Sequence, residues 1–273
     1  MTLDEYLTLL CRRPNADVDV AEVSLLLARD EYPKLDVEAS LAEIGAMAHE
    51  ARAYVRGSLE ARAHGLSRYL FHEMGYRGNT KDYYDPANSY LNLVLERRTG
   101  IPISLSALMM AIGRRAGLNV QGVGLPGHFI VKVVDNGAQA LVDPFHGGRS
   151  LSPEDCETLV KQVTGMPFEA SPLNLAPAPL GWMVLRMLAN LKGIYLAGED
   201  YQRSIRVMRR MRQLQPEDAA LQRDLGVAWM KVGEPGKALD LLEAYVRLAP
   251  EASDATVIHQ LVREAKALIA RLN

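Results

Sequence analysis

Three side chains suited to acyl-transfer chemistry fall between residues 100 and 145: a hydroxyl at a helix start (Ser104), an imidazole opening a strand (His128) and a carboxylate ending the next strand (Asp143). A nucleophile at a helix N-terminus gains from the dipole, which stabilises its anion. A histidine on a neighbouring strand can serve as base, and an aspartate can orient its ring. Serine is a weak nucleophile until a base activates it. Ser104 is equally suited to bonding backbone in the first helical turn. Neither cysteine fits: Cys11 lies far upstream and Cys156 follows the aspartate. His128, Asp143 and His146 lack a familiar metal-ligand spacing, so no metal is expected. The glycines from 122 to 127 do not open a helix, which argues against a phosphate loop or dinucleotide site. No cofactor is expected.

The elements that must position these residues are legible. Asn88-Ser89 can cap a helix carrying Leu91, Val94 and Leu95, with Arg97 and Arg98 in its last turn and Gly100 at its end. A second helix opens at Ile101-Pro102, where proline is tolerated. Its Ile101, Leu105, Leu108 and Ile112 mark one buried stripe. The period then changes to short strands near Val120–Val123, His128–Val133 and Ala140–Asp143, with Asp135-Asn136-Gly137 as a hairpin turn. Helices followed by a meander indicate α+β rather than alternating βαβ units. Upstream, Leu3 to about Phe71 reads as helices, with Asp36 as one N-cap. The glycine- and tyrosine-rich run Gly75–Ala87 reads as a loop, either a lid or a surface crossing, and Tyr84 and Asn88 are its candidate binding residues. Ser152-Pro153 starts a short helix, and the proline-rich stretch 169–180 reads as a linker.

Beyond it the chain repeats itself. Leu191 and Leu225, Tyr195 and Trp229, Ser204 and Ala238, Leu214 and Leu248, and Pro216 and Pro250 are each 34 residues apart. With Gly198 and Gly233 at the turns, this period resembles tetratricopeptide repeats. The first copy departs: Lys192 stands opposite Gly226, and Gly198 is one position out of register. The helix from about Thr256 to Leu272 is expected to cap the stack. Arg206, Arg209 and Arg210 make a concave, acid-favouring peptide surface one reading; a solvated helix face is the other.

Composition narrows the classes. A net charge of −2 and a pI near 6.3 leave no electrostatic footprint for nucleic acid. No apolar run approaches the roughly 20 residues that span a bilayer. The N-terminus is acidic where a signal peptide is basic. A cytoplasmic location is expected, with idle thiols, no membrane contact and no nucleic acid.

The run YYDPANSYLNLVLERRTGIPISLSALMMAIGRRAGLNVQGVGLPGHFIVKV, followed by LVDPFHGG, resembles the bacterial SirB-type family, as does the earlier LLLARDEYPKLDVEASLAEIG. That family is assigned a transglutaminase-like core followed by tetratricopeptide repeats. The resemblance implies an α+β fold: a mostly helical, papain- or transglutaminase-like core with a small antiparallel sheet, then an all-α repeat region. Residues 1–168 would form the core with its helical N-terminal part, 169–180 the linker and 181–273 the repeats. It also puts His128 at the base position and Asp143 at the orienting position. The cysteine of active members falls in a glycine–apolar–cysteine start, which here reads Gly100-Ile101-Pro102, so proline replaces the thiol. Shifting by two offers Ser104.

The expected function is therefore a non-catalytic protein- or peptide-binding or regulatory factor, with oligomerisation open. The alternative is an atypical hydrolase or acyltransferase using Ser104, His128 and Asp143.

Overall fold

The structure is a computed structural model that describes residues 1–272. In chain order, α1 (Leu3–Arg12), α2 (Val20–Arg29), α3 (Val37–Ala51) and α4 (Leu59–Ser67) precede a π-helical turn at Arg68–Glu73. Next come β1 (Arg77–Gly78), α5 (Leu91–Arg97), β2 (Thr99–Gly100) and α6 (Pro102–Arg115). The meander is β3 (Asn119–Leu125), β4 (His128–Asp135), β5 (Ala138–Asp143) and β6 (Arg149–Leu151), followed by α7 (Pro153–Thr164). Five helices complete the chain: α8 (Leu180–Ala197), α9 (Tyr201–Leu214), α10 (Ala219–Lys231), α11 (Pro235–Leu248) and α12 (Ala255–Leu272). This is the mostly helical α+β core and all-α C-terminal region expected from the sequence.

Local chemistry sets several of these boundaries. Asp36 accepts from the Ala39 N–H at 2.9 Å and caps α3. Ser152 and Asp155 form a reciprocal capping box ahead of Pro153 in α7. Asn136 and Gly137 both take positive φ, as a two-residue hairpin turn with the twist of its flanking strands requires.

Two expectations need correction. Asn88 does not cap α5; it lies in a short 3-10 turn, and the helix begins after Tyr90. Arg98, not Gly100, ends that helix in the left-handed conformation, because Gly100 is taken up in β2.

The chain divides into two compact units: residues 1–3 with 14–187, and residues 4–13 with 188 onward, so the division falls inside α8. In the first unit, β3–β4–β5–β6 form an antiparallel sheet and β1 pairs in parallel with β2. Phe129, Val131, Val133 and Val142 pack on one side with α6, which is buried from Pro102 to Gly113 rather than along one stripe. Val123, Ile130 and Leu141 pack on the other with Cys156, Leu159 and Val160 of α7.

Residues 169–180, which their prolines mark as a linker, run instead from this second face past β3, where Ala178 and Leu180 reach the α6 side of the core. Leu175 is buried on the second face, its carbonyl accepts from Lys132 Nζ at 2.9 Å, and the Ala178 N–H donates to the Gly122 carbonyl at 2.8 Å. Proline suits such a strap, since it gives up only a donor that an extended edge segment does not use.

In the second unit, Gly226 lets α10 and α11 approach: a Cβ there would lie 2.7 Å from Leu242. The turn after α10 uses Gly233 at φ +76°, whereas the equivalent position of the preceding repeat is Glu199, also left-handed at φ 55°. That is the physical content of the register slip at Gly198. Asp4 of α1 belongs to this unit and pairs with Arg210 of α9.

Candidate functional site

The start of α6 is filled and capped. Pro102 occupies the first turn and is buried. Ser104 Oγ accepts from the Ile101 N–H at 3.1 Å and donates to the Asn88 carbonyl at 2.6 Å. Asn88 clasps the preceding loop: its amide donates to the Asp82 and Tyr83 carbonyls at 2.7 and 3.2 Å, and its Oδ1 accepts from Asn79. Asn88 is thus a buried structural residue, and Tyr84 is the exposed one, edge-on to Tyr83.

His128 enters at the start of β4, after a turn in which Gly127 takes φ +68° against Val163. Strand alternation projects His128 and Asp143 from one face, because Lys132 pairs with Leu141 across the same strands. The two meet: His128 Nε2 lies 3.0 Å from Asp143 Oδ1, and both side chains are almost wholly buried. Asp143 is shared. His146 Nδ1 lies 2.6 Å from its Oδ2, the Phe145 N–H donates to Oδ1 at 3.1 Å, and Arg149 stands 3.6 Å from Oδ2.

Burial pushes the Asp143 carboxyl up, but the hydrogen bonds and charge of His128 and His146 outweigh it and hold the group below its ordinary value. An ionised Asp143 accepts only, so the bonding places a proton on His128 Nε2. The ring is further boxed by His146, stacked at 5.6 Å and 25°, and by the edge of Phe145 at 6.0 Å. Phe145 in turn lies over Gly78, where a Cβ would sit 2.5 Å from the Phe145 carbonyl. Only glycine permits that approach.

Of the three residues picked for catalysis, the structure brings His128 and Asp143 together and gives Ser104 other partners. Among the described residues, no hydrogen bond joins Ser104 to His128. Cys156 is buried in α7, and burial first, with nearby acidic charge, pushes its thiol up to about 11. It is a neutral core thiol.

Two participants escaped sequence reading. His146 was noticed but not placed on Asp143. Arg186 of α8 donates to the Leu125 and His128 carbonyls at 2.9 and 2.7 Å while its guanidinium lies over Trp182 and Phe129. It braces the turn that delivers His128, from more than fifty residues away. No local signal marks it.

In the repeat unit, Arg209 and Arg212 of α9 line a cavity of about 450 Å³ with Trp229, Lys237 and Leu241. Arg206 is exposed on the same helix, whereas Arg210 is engaged by Asp4.

The profile of the transglutaminase-like superfamily matches residues 38–189, more than half of the sequence. The chain belongs to that superfamily. A tetratricopeptide-repeat profile matches residues 191–263. Among similar proteins, a UPF0162 protein of Xylella fastidiosa (strain Temecula1) is 36% identical over 245 residues, covering 86% of this chain and 85% of its own. A UPF0162 protein of Pseudomonas aeruginosa is 30% identical over 201 residues, covering 73% of each. The F-box only protein 21 of Homo sapiens is 36% identical over 105 residues, which is 36% of this chain and 17% of that protein. Within the described residues, no helix is long and apolar enough to cross a membrane.

Proposed function

We propose that this transglutaminase-like protein is non-catalytic and binds a protein or peptide partner, an acidic segment seated between α9 and α11. One observation carries the first half: the hydroxyl nearest the expected nucleophile position caps its own helix and donates to Asn88. The remaining His128–Asp143 pair is a base without a nucleophile. The second half rests on the tetratricopeptide unit, whose cavity combines Arg209, Arg212 and Lys237 with the apolar faces of Trp229 and Leu241. Lys237 Nζ sits 4.7 Å from the Trp229 ring centroid, an arrangement that holds the cation beside an apolar floor. Its three cations outnumber Asp240, the one carboxylate in the lining. Tyr84 offers a further exposed contact on the first unit. Nucleic acid, membrane and cofactor play no part in this reading.

The test is fluorescence anisotropy with short fluorescent peptides bearing acidic residues around one aromatic, and with versions whose acids are replaced by lysine. Binding of the acidic set that weakens in Arg209→Glu and Lys237→Glu supports the proposal. Equal binding of both sets, or none, removes it.

The 3.0 Å His128–Asp143 contact favours a second reading, an atypical hydrolase or acyltransferase in which Ser104 leaves Asn88 and turns to His128. Covalent labelling by a fluorophosphonate probe, lost in Ser104→Ala and His128→Ala, would establish it. No labelling disposes of it.

A further inference from the structure

The carboxylate of Asp143 is shared by two imidazoles, and a base–orienter pair needs only one. We propose that His128, Asp143 and His146 form a binding site for a divalent transition metal, zinc foremost. This goes beyond the peptide-binding reading and does not rest on it.

Three elements supply the donors: His128 from the start of β4, Asp143 from the end of β5, and His146 from the turn that follows. One donor atom of each lies within 4.8 Å of the others. The two nitrogen–oxygen separations are 3.0 and 2.6 Å. Zinc bound at about 2.0–2.2 Å sets ligand edges of roughly 3.3 Å in a tetrahedron, so one Asp143 oxygen must come to face both nitrogens and the donors must draw in from within 4.8 Å. That movement falls on His146. His146 is 40% exposed at its side chain and is followed by Gly147 and Gly148, both at positive φ. His128 and Asp143 stay fixed by burial, and the Phe145 N–H orients the carboxylate through Oδ1, as outer partners of metal ligands do.

Two nitrogens and one oxygen suit zinc and its neighbours better than calcium or magnesium, which prefer all-oxygen sites. Three protein ligands leave a coordination position for water or a partner's side chain. Binding requires that the nitrogen of each ring facing the metal carry no proton. Arg149, 3.6 Å from Asp143 Oδ2 and half exposed, is the competing cation and must swing away.

The experiment is calorimetric titration of the untagged full chain with zinc after stripping with a chelator. One equivalent is expected. Loss of outer-shell partners alone costs about 10–100-fold in affinity, so His146→Ala should weaken binding more than about 100-fold. Arg149→Ala should tighten it. A cobalt-loaded sample should show visible d–d absorption that His146→Ala abolishes. Because His146 is exposed, that variant is expected to keep the wild-type circular dichroism spectrum, and it decides the matter even if His128→Ala fails to fold. Absence of a stoichiometric site in the wild type, or unchanged affinity in folded His146→Ala, overturns the proposal.

Discussion

The Ser104 hydroxyl donates to the Asn88 carbonyl 2.6 Å away, tying the first turn of α6 to the end of the loop whose Tyr83 rests edge-on against Phe145. Ser104→Ala would remove the short bond to that carbonyl and leave it and the Ile101 N–H only their mutual 3.4 Å contact. The expected cost is about 0.5–1.5 kcal/mol, read as a lower urea midpoint. Binding of acidic peptides should be unchanged, since no residue of the repeat cavity is touched.

Cys156 gives a pH prediction. Burial raises its thiol from 9.0 in the ordinary case to about 11. A raised value means that folding favours the protonated form. The stability it contributes is complete below pH 9 and drains as pH rises towards 11. The difference in urea midpoint between wild type and Cys156→Ala should therefore narrow across that window. In native protein at about pH 8, a thiol reagent should spare Cys156 until denaturant is added.

Glu199 holds a left-handed backbone that its repeat partner Gly233 adopts without a Cβ. A non-glycine residue there costs about 1–2 kcal/mol, partly offset by the lower entropy of its unfolded chain. Glu199→Gly is expected to stabilise by roughly 0.5–1 kcal/mol, and Gly233→Ala to destabilise by about as much. Thermal melts of both variants check the pair. A stabilising Gly233→Ala would contradict it.

Lys132 fastens the strap to the sheet through the Leu175 carbonyl, and burial lowers its ammonium's affinity for the proton. Lys132→Met keeps the apolar stem and loses the donor. Cleavage within residues 169–179 in limited proteolysis should accelerate, with a loss of about 1–3 kcal/mol for the unpartnered carbonyl. Unaltered cleavage would show that Ala178 and Leu175 hold the strap unaided.

What the sequence disclosed and what it hid follow from the range of the forces involved. The caps at Asp36 and Ser152, the turn at Asn136-Gly137 and the 34-residue period are written in neighbouring residues, and each stands in the structure. The His128–Asp143 contact was also within reach, because a hairpin brings the ends of adjacent strands together. Asn88 misled because its type suits a helix cap, while its amide is spent on the Asp82 and Tyr83 carbonyls. The prolines of 169–180 misled similarly: they signal a chain that leaves the fold, yet here they let an extended segment run along it. Arg186 could not be read at all. Its carbonyl partners are remote in sequence, and only the folded sheet sets them side by side.

The two-rung ladder between Arg77-Gly78 and Thr99-Gly100 closes residues 79–98 into a ring whose ends are paired to each other. Closing a ring costs entropy that grows only slowly, by about 0.6 kcal/mol for each doubling of its length. The tip around Tyr84, 75% exposed, is therefore a place where residues can be exchanged or inserted at little thermodynamic cost. A ring so fastened can vary at its tip while the buried histidine and aspartate stay where they are.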